Sequence, residues 1–370
     1  MKVMEVISDT NIGGAGILLL NRLECTDMNR YGTTVCLPEK SRLIPRLDKI
    51  GVRYIALDIA PDRSWHMSDV IKFKRIFDRE LPTVVNCHGA LSARVAAKLS
   101  GVPIKICTRH CVYDVSLIEK LTGRINSFLS DAFIAVAHSA RENLLGMGVS
   151  EGKIHVIING AKRLNVTTES ERQALRLTLG INANDFVLTI CARLEICKGH
   201  TVLFDALSRL KKRVEKYKVI VIGDGTQRER LENYCADKGL TKNVIFIGFT
   251  EDVSPYMNIS DLNINCSVGT ETSSLALSEG MSIGLPAVVS DYGGNSYMIK
   301  DGVNGFVYKC GDSKRLSELI LRLANNREEL KSLSVGAYAR YENELNVESM
   351  TKKTNRLYDE LVMHHKVGGS

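Results

Sequence analysis

The sequence predicts an α/β protein made of two doubly wound parallel-sheet domains. Short apolar runs alternate with stretches of helical periodicity, the order that places a parallel sheet between two layers of helices. The alternation restarts near residue 185, after a polar stretch. A chain of 370 residues also exceeds the roughly 100–200 residues of one ordinary domain.

In the first half, Lys2–Ser8 reads as a strand, followed by a glycine turn at Gly13, Gly14 and Gly16 and by helical spacing over Ile17–Met28. Further strands fall at Thr33–Leu37, Arg53–Leu57, Thr83–Cys87, Ile104–Thr108, Ala132–Ala137 and Ile154–Ile158. Helical patterns fall at Ser41–Ile50, Met67–Glu80, Leu91–Leu99 and Val115–Ser130. The second half repeats the scheme with strands at Phe186–Cys191, Val219–Ile222, Val244–Ile247, Leu262–Cys266, Ala287–Ser290 and Gly305–Tyr308, and helices at Thr201–Val214 and Gln227–Lys238. The polar stretch over residues 160–185, with one helix-like segment, reads as the linker, which gives domains at 1–165 and 166–346 and leaves the helical pattern Val347–His364 at the end. Ligands of such sheets bind at the carboxyl ends of the strands, so the candidate site lies in a cleft that the two domains share.

Composition narrows the function. At 44% hydrophobic and 25% charged, the chain is globular, with no low-complexity tract or repeat. No apolar run is as long as a membrane span, and the opening MKVMEVISDTN reads as a strand rather than a signal peptide. The expected setting is the cytoplasm, peripheral on the inner face of the membrane, with free thiols at the ten cysteines; Cys36, Cys191 and Cys266 read as small buried hydrophobes. The net charge of +7 sits in residues 1–165, which hold 23 Lys+Arg against 16 Asp+Glu, while the remainder holds 26 of each. A solvated surface accounts for that bias, as does an anionic lipid surface or an acidic acceptor. Trp65, Val70, Phe73 and Phe77 with Lys72, Lys74, Arg75 and Arg79 read either as a core-facing helix or as a lipid-facing one; the Val115–Ser130 stretch, with Lys120 and Arg124, offers a second lipid-facing candidate. The dinucleotide fingerprint of a dehydrogenase is missing, and no nucleic-acid-binding module is present. Cys87, His88, Cys107, His110 and Cys111 do not have the spacing of a structural zinc site, and no metal is expected.

The strongest local signal is Gly269-Thr-Glu271-Thr-Ser-Ser-Leu-Ala-Leu-Ser-Glu279-Gly-Met-Ser-Ile-Gly284-Leu-Pro286. Thr272 or Ser273 reads as a helix cap, which places Glu271 in the loop before the helix and Glu279 two turns into it. The free N–H groups of that helix start suit an anion. The second signal is Ala192-Arg193-Leu-Glu-Ile-Cys-Lys198-Gly199-His200, which follows a strand. His88 and His110 each end a strand of the first half and so project toward the candidate cleft.

On these motifs, in this order, the chain resembles the family 4 retaining glycosyltransferases (glycosyl transferases group 1), and the resemblance covers nearly its whole length. It implies a GT-B fold: two Rossmann-like domains facing across a cleft, the first binding the acceptor and the second the nucleotide-sugar. The tail Tyr341–Leu361, with Leu357-Tyr358-Asp359, resembles the family's terminal helix that crosses back to the first domain.

The resemblance also assigns residues. Glu271 and Glu279 match the family's paired acids, with seven residues between them; Glu279 would hold the ribose hydroxyls and Glu271 contact the donor sugar. Arg193 and Lys198 match its Arg…Lys-Gly element, and a fork donor with a point charge suits the charge growing on a diphosphate leaving group without a metal. Gly13 and Gly14 would let backbone approach the donor phosphate and the acceptor, though a tight strand-to-helix turn explains them as well. His110 matches the histidine that touches the transferred sugar and His88 one on the acceptor side; each also reads as a structural histidine. Thr250 opens the loop that lies over the base. Thr272-Ser273-Ser274 replaces the common Gly-Phe-Gly, which keeps backbone contacts to the sugar at Ser273, Ser274 and Leu275 and adds a hydroxyl at Ser274. Ala161-Lys162 after the Asn159-Gly160 turn, where the family has valine and aspartate, and Ala192, where glycine is common, are the other departures.

The implied reaction moves a hexose-type sugar from a nucleotide-sugar, UDP-linked before GDP-linked, to a glycan, lipid-linked or small-molecule acceptor in cell-surface polysaccharide synthesis. It needs no cofactor beyond the donor. A nucleotide-sugar epimerase of the same fold is the nearest alternative. A non-catalytic partner subunit is a second, against which both glutamates, Arg193 and Lys198 count.

Overall fold

A computed structural model describes the chain except for residues 11–12, 60–63, 111, 113–114, 116–119, 121–122, 124, 126, 211–215 and 369–370. The chain divides into two compact units, Met1–Gly160 with Val347–Ser370, and Ala161–Asn346. Ala161 is tied to the second unit by its own bonds: its N–H donates to the Leu345 carbonyl at 2.9 Å and its carbonyl accepts from the Tyr341 hydroxyl at 3.2 Å. The division therefore falls ahead of the expected 165.

The first unit is a seven-stranded sheet of β1 (Lys2–Ile7), β2 (Gly32–Pro38), β3 (Tyr54–Leu57), β4 (Val84–His88), β5 (Ile104–Arg109), β6 (Ala132–Ala135) and β7 (Ile154–Val156). The order is β3-β2-β1-β4-β5-β6-β7 and every pairing is parallel. Strands covered on both faces read as continuous apolar runs, as Val3, Met4, Val6 and Ile7 do here. Glu5 and Asn86 break that rule. They are register partners on adjacent central strands, and both are buried.

The second unit is a six-stranded parallel sheet of β8 (Phe186–Cys191), β9 (Tyr217–Ile222), β10 (Val244–Gly248), β11 (Leu262–Asn265), β12 (Ala287–Ser290) and β13 (Gly305–Tyr308), ordered β10-β9-β8-β11-β12-β13. In both sheets the strand order reverses beside the first strand, between β1 and β4 and between β8 and β11. Such switch points open a crevice at the carboxyl ends of the strands.

The expected helices are largely present. Met67–Glu80 buries Val70, Phe73, Ile76 and Phe77 against Val85, Cys87 and Ala93, at roughly 1.5–3 kcal/mol per side chain. The core-facing alternative therefore holds for Val70, Phe73 and Phe77, while Trp65, Met67 and Ile71 stay exposed. Of the Val115–Ser130 pattern half the residues, Arg124 among them, lie outside the described ones, as do residues 211–214 of the expected Thr201–Val214 helix, observed as His200–Leu210.

The expected linker carries a helix of its own, Glu169–Thr178, started by a capping box between Thr168 and Glu171. Helices beyond the sequence expectation include His138–Gly146 and the longer Ser313–Asn325 and Arg327–Arg340, capped by Asp312 and Asn326. The terminal helix, Val347–Gly368, returns to the first unit. There Asp359 accepts from Arg30 at 2.7 Å and from the Tyr31 hydroxyl at 2.8 Å, and Tyr358 is buried. Among the described residues no helix is long and apolar enough to cross a membrane. Cys36 and Cys266 are buried as expected, but Cys191 is only partly so.

Candidate functional site

At the switch point of the second unit, β8 ends at Cys191 and β11 at Asn265. The loops that follow them carry the sequence-predicted residues. Lys198 closes a short 3-10 turn, Ile196–Lys198, and its Nζ lies 2.8 Å from Glu271 Oε2. The same oxygen accepts from Ser267 Oγ at 2.8 Å and Asn265 Nδ2 at 3.3 Å. One carboxylate thus gathers the ends of both loops, and only 8% of its side chain is exposed.

Two glycines make this approach possible. Gly199 has φ 66°, and a Cβ there would lie 2.0 Å from the Cys266 carbonyl oxygen. Gly293 has φ 61°, and its Cβ would lie 1.9 Å from the Glu271 carbonyl oxygen. No other residue fits either position, since both the left-handed backbone and the close packing exclude a side chain. Thr270, next to Glu271, is itself held at φ 37°. A β-branched residue there stores backbone strain, on the order of 1–3 kcal/mol.

The helix after Glu271 runs Leu275–Ser282 and is capped by Ser274, whose hydroxyl accepts from the Leu277 N–H. The expected cap at Thr272 or Ser273 is thus corrected by one or two residues, and Glu279 lies little more than one turn in, not two. The cause is local: the loop leaving Glu271 is pinned by the Gly294 N–H to the Glu271 carbonyl, and the chain turns helical only beyond that point. Ser274, Leu277, Lys198, Asn265, Cys191 and Ala192 line one recess at the strand ends. Glu279 stands beside it. Burial raises its carboxyl to about 7, and burial followed by the nearby Glu279 charge pushes the Cys191 thiol up to about 12.

The remaining expected residues are less gathered. Arg193 follows β8 but its residue is exposed. The Ser273 hydroxyl points at Met298 Sδ, 4.0 Å away. Thr250 closes its own turn, its Oγ1 donating to the Asp252 carbonyl at 3.1 Å and accepting from the Asp252 N–H at 3.3 Å.

At the switch point of the first unit, His88 ends β4 and His110 follows β5. Their rings stack with centroids 5.0 Å apart, and His88 Nδ1 lies 2.7 Å from His110 Nε2. His88 Nε2 in turn lies 3.0 Å from Glu5 Oε2. Burial, then the neighbouring His88, holds His110 down to about 3. Gly13 is the N-cap of the helix Gly14–Glu24. Among the described residues a Cβ on Gly14 would meet no atom within 4 Å, whereas one on Gly16 would lie 2.9 Å from Leu43 Cδ2. Gly16 is thus the glycine of this turn that packs closely, against the Leu43 side chain. Among the described residues no three His, Cys, Asp or Glu side chains gather as metal ligands, and Cys111 lies outside the described residues.

Residues 12–163 match the family model described as Glycosyltransferase Family 4, and residues 171–340 match the one described as Glycosyl transferases group 1. The chain belongs to glycosyltransferase family 4. Its fold is the family's GT-B fold, as the sequence motifs imply. The chain is similar to the EpsD protein of Bacillus subtilis, 26% identical over 278 residues, 71% of this chain and 72% of that one. It is also similar to the UDP-Gal:alpha-D-GlcNAc-diphosphoundecaprenol alpha-1,3-galactosyltransferase of Escherichia coli, 24% identical over 316 residues and 80% of each chain. Among solved structures, HepE of Anabaena in complex with UDP superposes with a TM-score of 0.86 at 21% identity, over 97% of this chain and 100% of that one.

Within this family 4 chain, several residues at the two switch points stand outside the sequence-predicted set. Ser267, Asn265 and Gly293 build the seat of Glu271. Glu5 holds His88, and Arg22, Asn86 and Tyr358 hold Glu5. Glu5 has a readable signal, a charged residue inside the apolar run Val3-Met4-Glu5-Val6-Ile7. Tyr358 is legible only as part of the terminal helix; its pairing with Glu5 is not, because the two are 353 positions apart.

Proposed function

We propose that this glycosyltransferase transfers a hexose from a UDP-sugar, with retention of anomeric configuration, to a glycan or lipid-linked acceptor in cell-surface polysaccharide synthesis. The observation that carries the reading is the Lys198–Glu271 pair beneath the start of the Leu275–Ser282 helix, with Glu279 beside the same recess. A diphosphate entering there meets a cation, a set of helix N–H groups and, at Glu279, an acceptor for ribose hydroxyls. The names of the E. coli relative and of the HepE complex favour a uridine nucleotide and a lipid-linked acceptor.

In this reading the diphosphate takes Lys198 from Glu271 as the glycosidic C–O bond breaks, and Arg193 adds a second positive charge. Glu271, released, faces the donor sugar, with Ser273, Ser274 and Leu275 alongside. The acceptor hydroxyl enters on the face the diphosphate leaves, and a phosphate oxygen takes its proton. Thr250 covers the base. On the first unit, Gly13, Gly14 and His88 serve the acceptor side and His110 the transferred sugar. The open space at Gly14 supports that use, since packing among the described residues does not require glycine there. No step requires a metal, so transfer continues in chelator.

The test is a thermal-shift panel of UDP-, GDP-, ADP- and TDP-sugars, followed by anomeric analysis of the product by NMR. UDP-hexoses should raise the melting temperature most and an α-linked donor should give an α-linked product. A β-linked product, or no response to UDP-sugars, contradicts the reading.

We also place the enzyme at the cytoplasmic face of an anionic membrane. Exposed Met67 and Ile71, with exposed Trp65 just before them, lie along the helix Met67–Glu80 that also carries exposed Arg75 and Arg79, a pairing of apolar and cationic groups that favours anionic lipid. Equal pelleting with neutral and anionic vesicles contradicts it.

A further inference from the structure

Glu271 Oε2 accepts from three groups, Lys198 Nζ, Ser267 Oγ and Asn265 Nδ2. In the reaction proposed above the diphosphate draws Lys198 away. A carboxylate this buried must then be kept ionised and in place by other donors. Asn265 and Ser267 are the ones left on that oxygen, and the Asn265 amide is not free to turn. Its Oδ1 accepts from the Ser267 N–H at 3.0 Å, so only its NH2 can face Glu271.

Both donors share one support. Asn295 Nδ2 donates to Asn265 Oδ1 and to Ser290 Oγ, each at 3.3 Å. Ser290 Oγ in turn donates to the Ser267 carbonyl at 2.6 Å. The direction of every bond is set by the main chain, because a backbone N–H only donates and a backbone carbonyl only accepts. Asn295 must therefore present its NH2, not its oxygen, to this pair. Asn295, Ser290 and Ser267 are all inaccessible to solvent, and Asn295 Oδ1 has no hydrogen-bond partner among the described residues. An unpaired buried amide oxygen costs stability that an apolar side chain of similar shape would not, so packing alone does not account for the asparagine. The residues before it serve Glu271 as well: Gly293 packs against the Glu271 carbonyl oxygen and the Gly294 N–H donates to it. One loop thus holds the main chain of Glu271 and, through Asn295, its carboxylate.

We propose that Asn295 is a positioning residue for Glu271: it holds Asn265 and Ser267 against the carboxylate while the diphosphate takes Lys198, so that the anion neither swings away nor takes a proton. The role during transfer rests on the glycosyltransferase reading above; the support of Asn265 by Asn295 does not.

Solvent exchange of the Asn265 side-chain amide measures that support. It is followed by proton–nitrogen NMR of the full chain labelled with 15N-asparagine, with Asn265→Ala giving the assignment. Exchange should be at least about tenfold slower than in free asparagine, stay slow in saturating UDP, and quicken at least about fivefold in Asn295→Ala. A folded Asn295→Ala chain with unchanged exchange overturns the proposal. So does rapid exchange in the unmodified chain, with or without UDP, and this arm still decides if Asn295→Ala fails to fold. No response to UDP, with exchange slow and quickened by Asn295→Ala, counts against the uridine-nucleotide reading alone.

Initial rates separate positioning from general damage. Asn295→Ala should lower kcat at least about fivefold with donor KM changed less than about threefold, because the substitution leaves Lys198 and Glu279 untouched. In a chain already carrying Asn265→Ala and Ser267→Ala, it should lower kcat less than about twofold. An equal loss in both backgrounds, or an unchanged kcat in the folded single variant, overturns the proposal.

Discussion

Lys198 Nζ lies 2.8 Å from Glu271 Oε2, with 14% and 8% of the two side chains exposed. A pair this sheltered interacts more strongly than one in water. It also means that a diphosphate must compete with Glu271 for the cation. The two residues are thus coupled, and substitutions at either report on the other.

Glu271→Gln should separate binding from turnover. It frees Lys198, so UDP should bind at least as tightly as to the unmodified chain, while transfer falls more than about tenfold, or about 1.4 kcal/mol of barrier. Isothermal titration and initial rates check the two halves. Weaker UDP binding would show that Glu271 supports the nucleotide rather than competing with it.

Glu279→Gln should stabilise the chain at pH 8 and weaken nucleotide binding. Burial raises this carboxyl from 4.5 to about 7, so the folded chain holds a proton that the unfolded chain releases between those values. The ionised group therefore costs stability above about pH 7 and nothing below about 4.5. The expected gain is on the order of 1–2 kcal/mol at pH 8, vanishing near pH 5, measured as urea midpoints at the two pH values.

Gly293→Ala should destabilise the fold by about 2 kcal/mol or more, since it meets both a left-handed φ and a backbone oxygen at 1.9 Å. Gly14→Ala should leave the melting temperature nearly unchanged while lowering transfer, because the space beside it holds no atom of the described residues within 4 Å. If Gly14→Ala is as active as the unmodified chain, the glycine turn serves only the fold.

Acid should destabilise the chain in two stages. His110 and His200 are held by burial to about 3 and about 4, with His88 and Lys198 as the respective second causes. Both are depressed below the usual 6.5, so their contribution is full above that value and is lost as pH falls toward 4 and 3, at up to about 1.4 kcal/mol per unit each. Glu5 outweighs its own burial through Arg22 and His88 and falls to about 2, which adds a further loss below about pH 4.5. Glu279 opposes the first stage. Replacing His200, whose ring nitrogens have no hydrogen-bond partner among the described residues, by Leu should flatten the decline between pH 6.5 and 5, read from urea midpoints.

The fold was legible because parallel strands carry apolar runs that local reading detects, as at Val219–Ile222 and Ala287–Ser290. Helix Ser313–Asn325 had the same kind of signal, with Leu316, Leu319, Ile320 and Leu323 on one buried face. The meeting of Lys198 and Glu271 was approachable from sequence because each lies in a short local motif, Arg193–Gly199 and Glu271–Glu279. The helix start at Ser274 was misplaced because Thr272, Ser273 and Ser274 are all competent caps, and only the Gly293–Glu271 packing chooses among them. The Glu5 cluster was hidden for a different reason. Its members come from residues 5, 22, 86 and 358, and only tertiary structure brings them together.

UDP titration by calorimetry against the unmodified chain, Lys198→Ala and His110→Ala tests most directly whether the β8–β11 switch point holds the donor diphosphate. The account expects Lys198→Ala to weaken UDP at least about tenfold and His110→Ala to leave it within about threefold. Equal affinity of the unmodified chain and Lys198→Ala for UDP would contradict it.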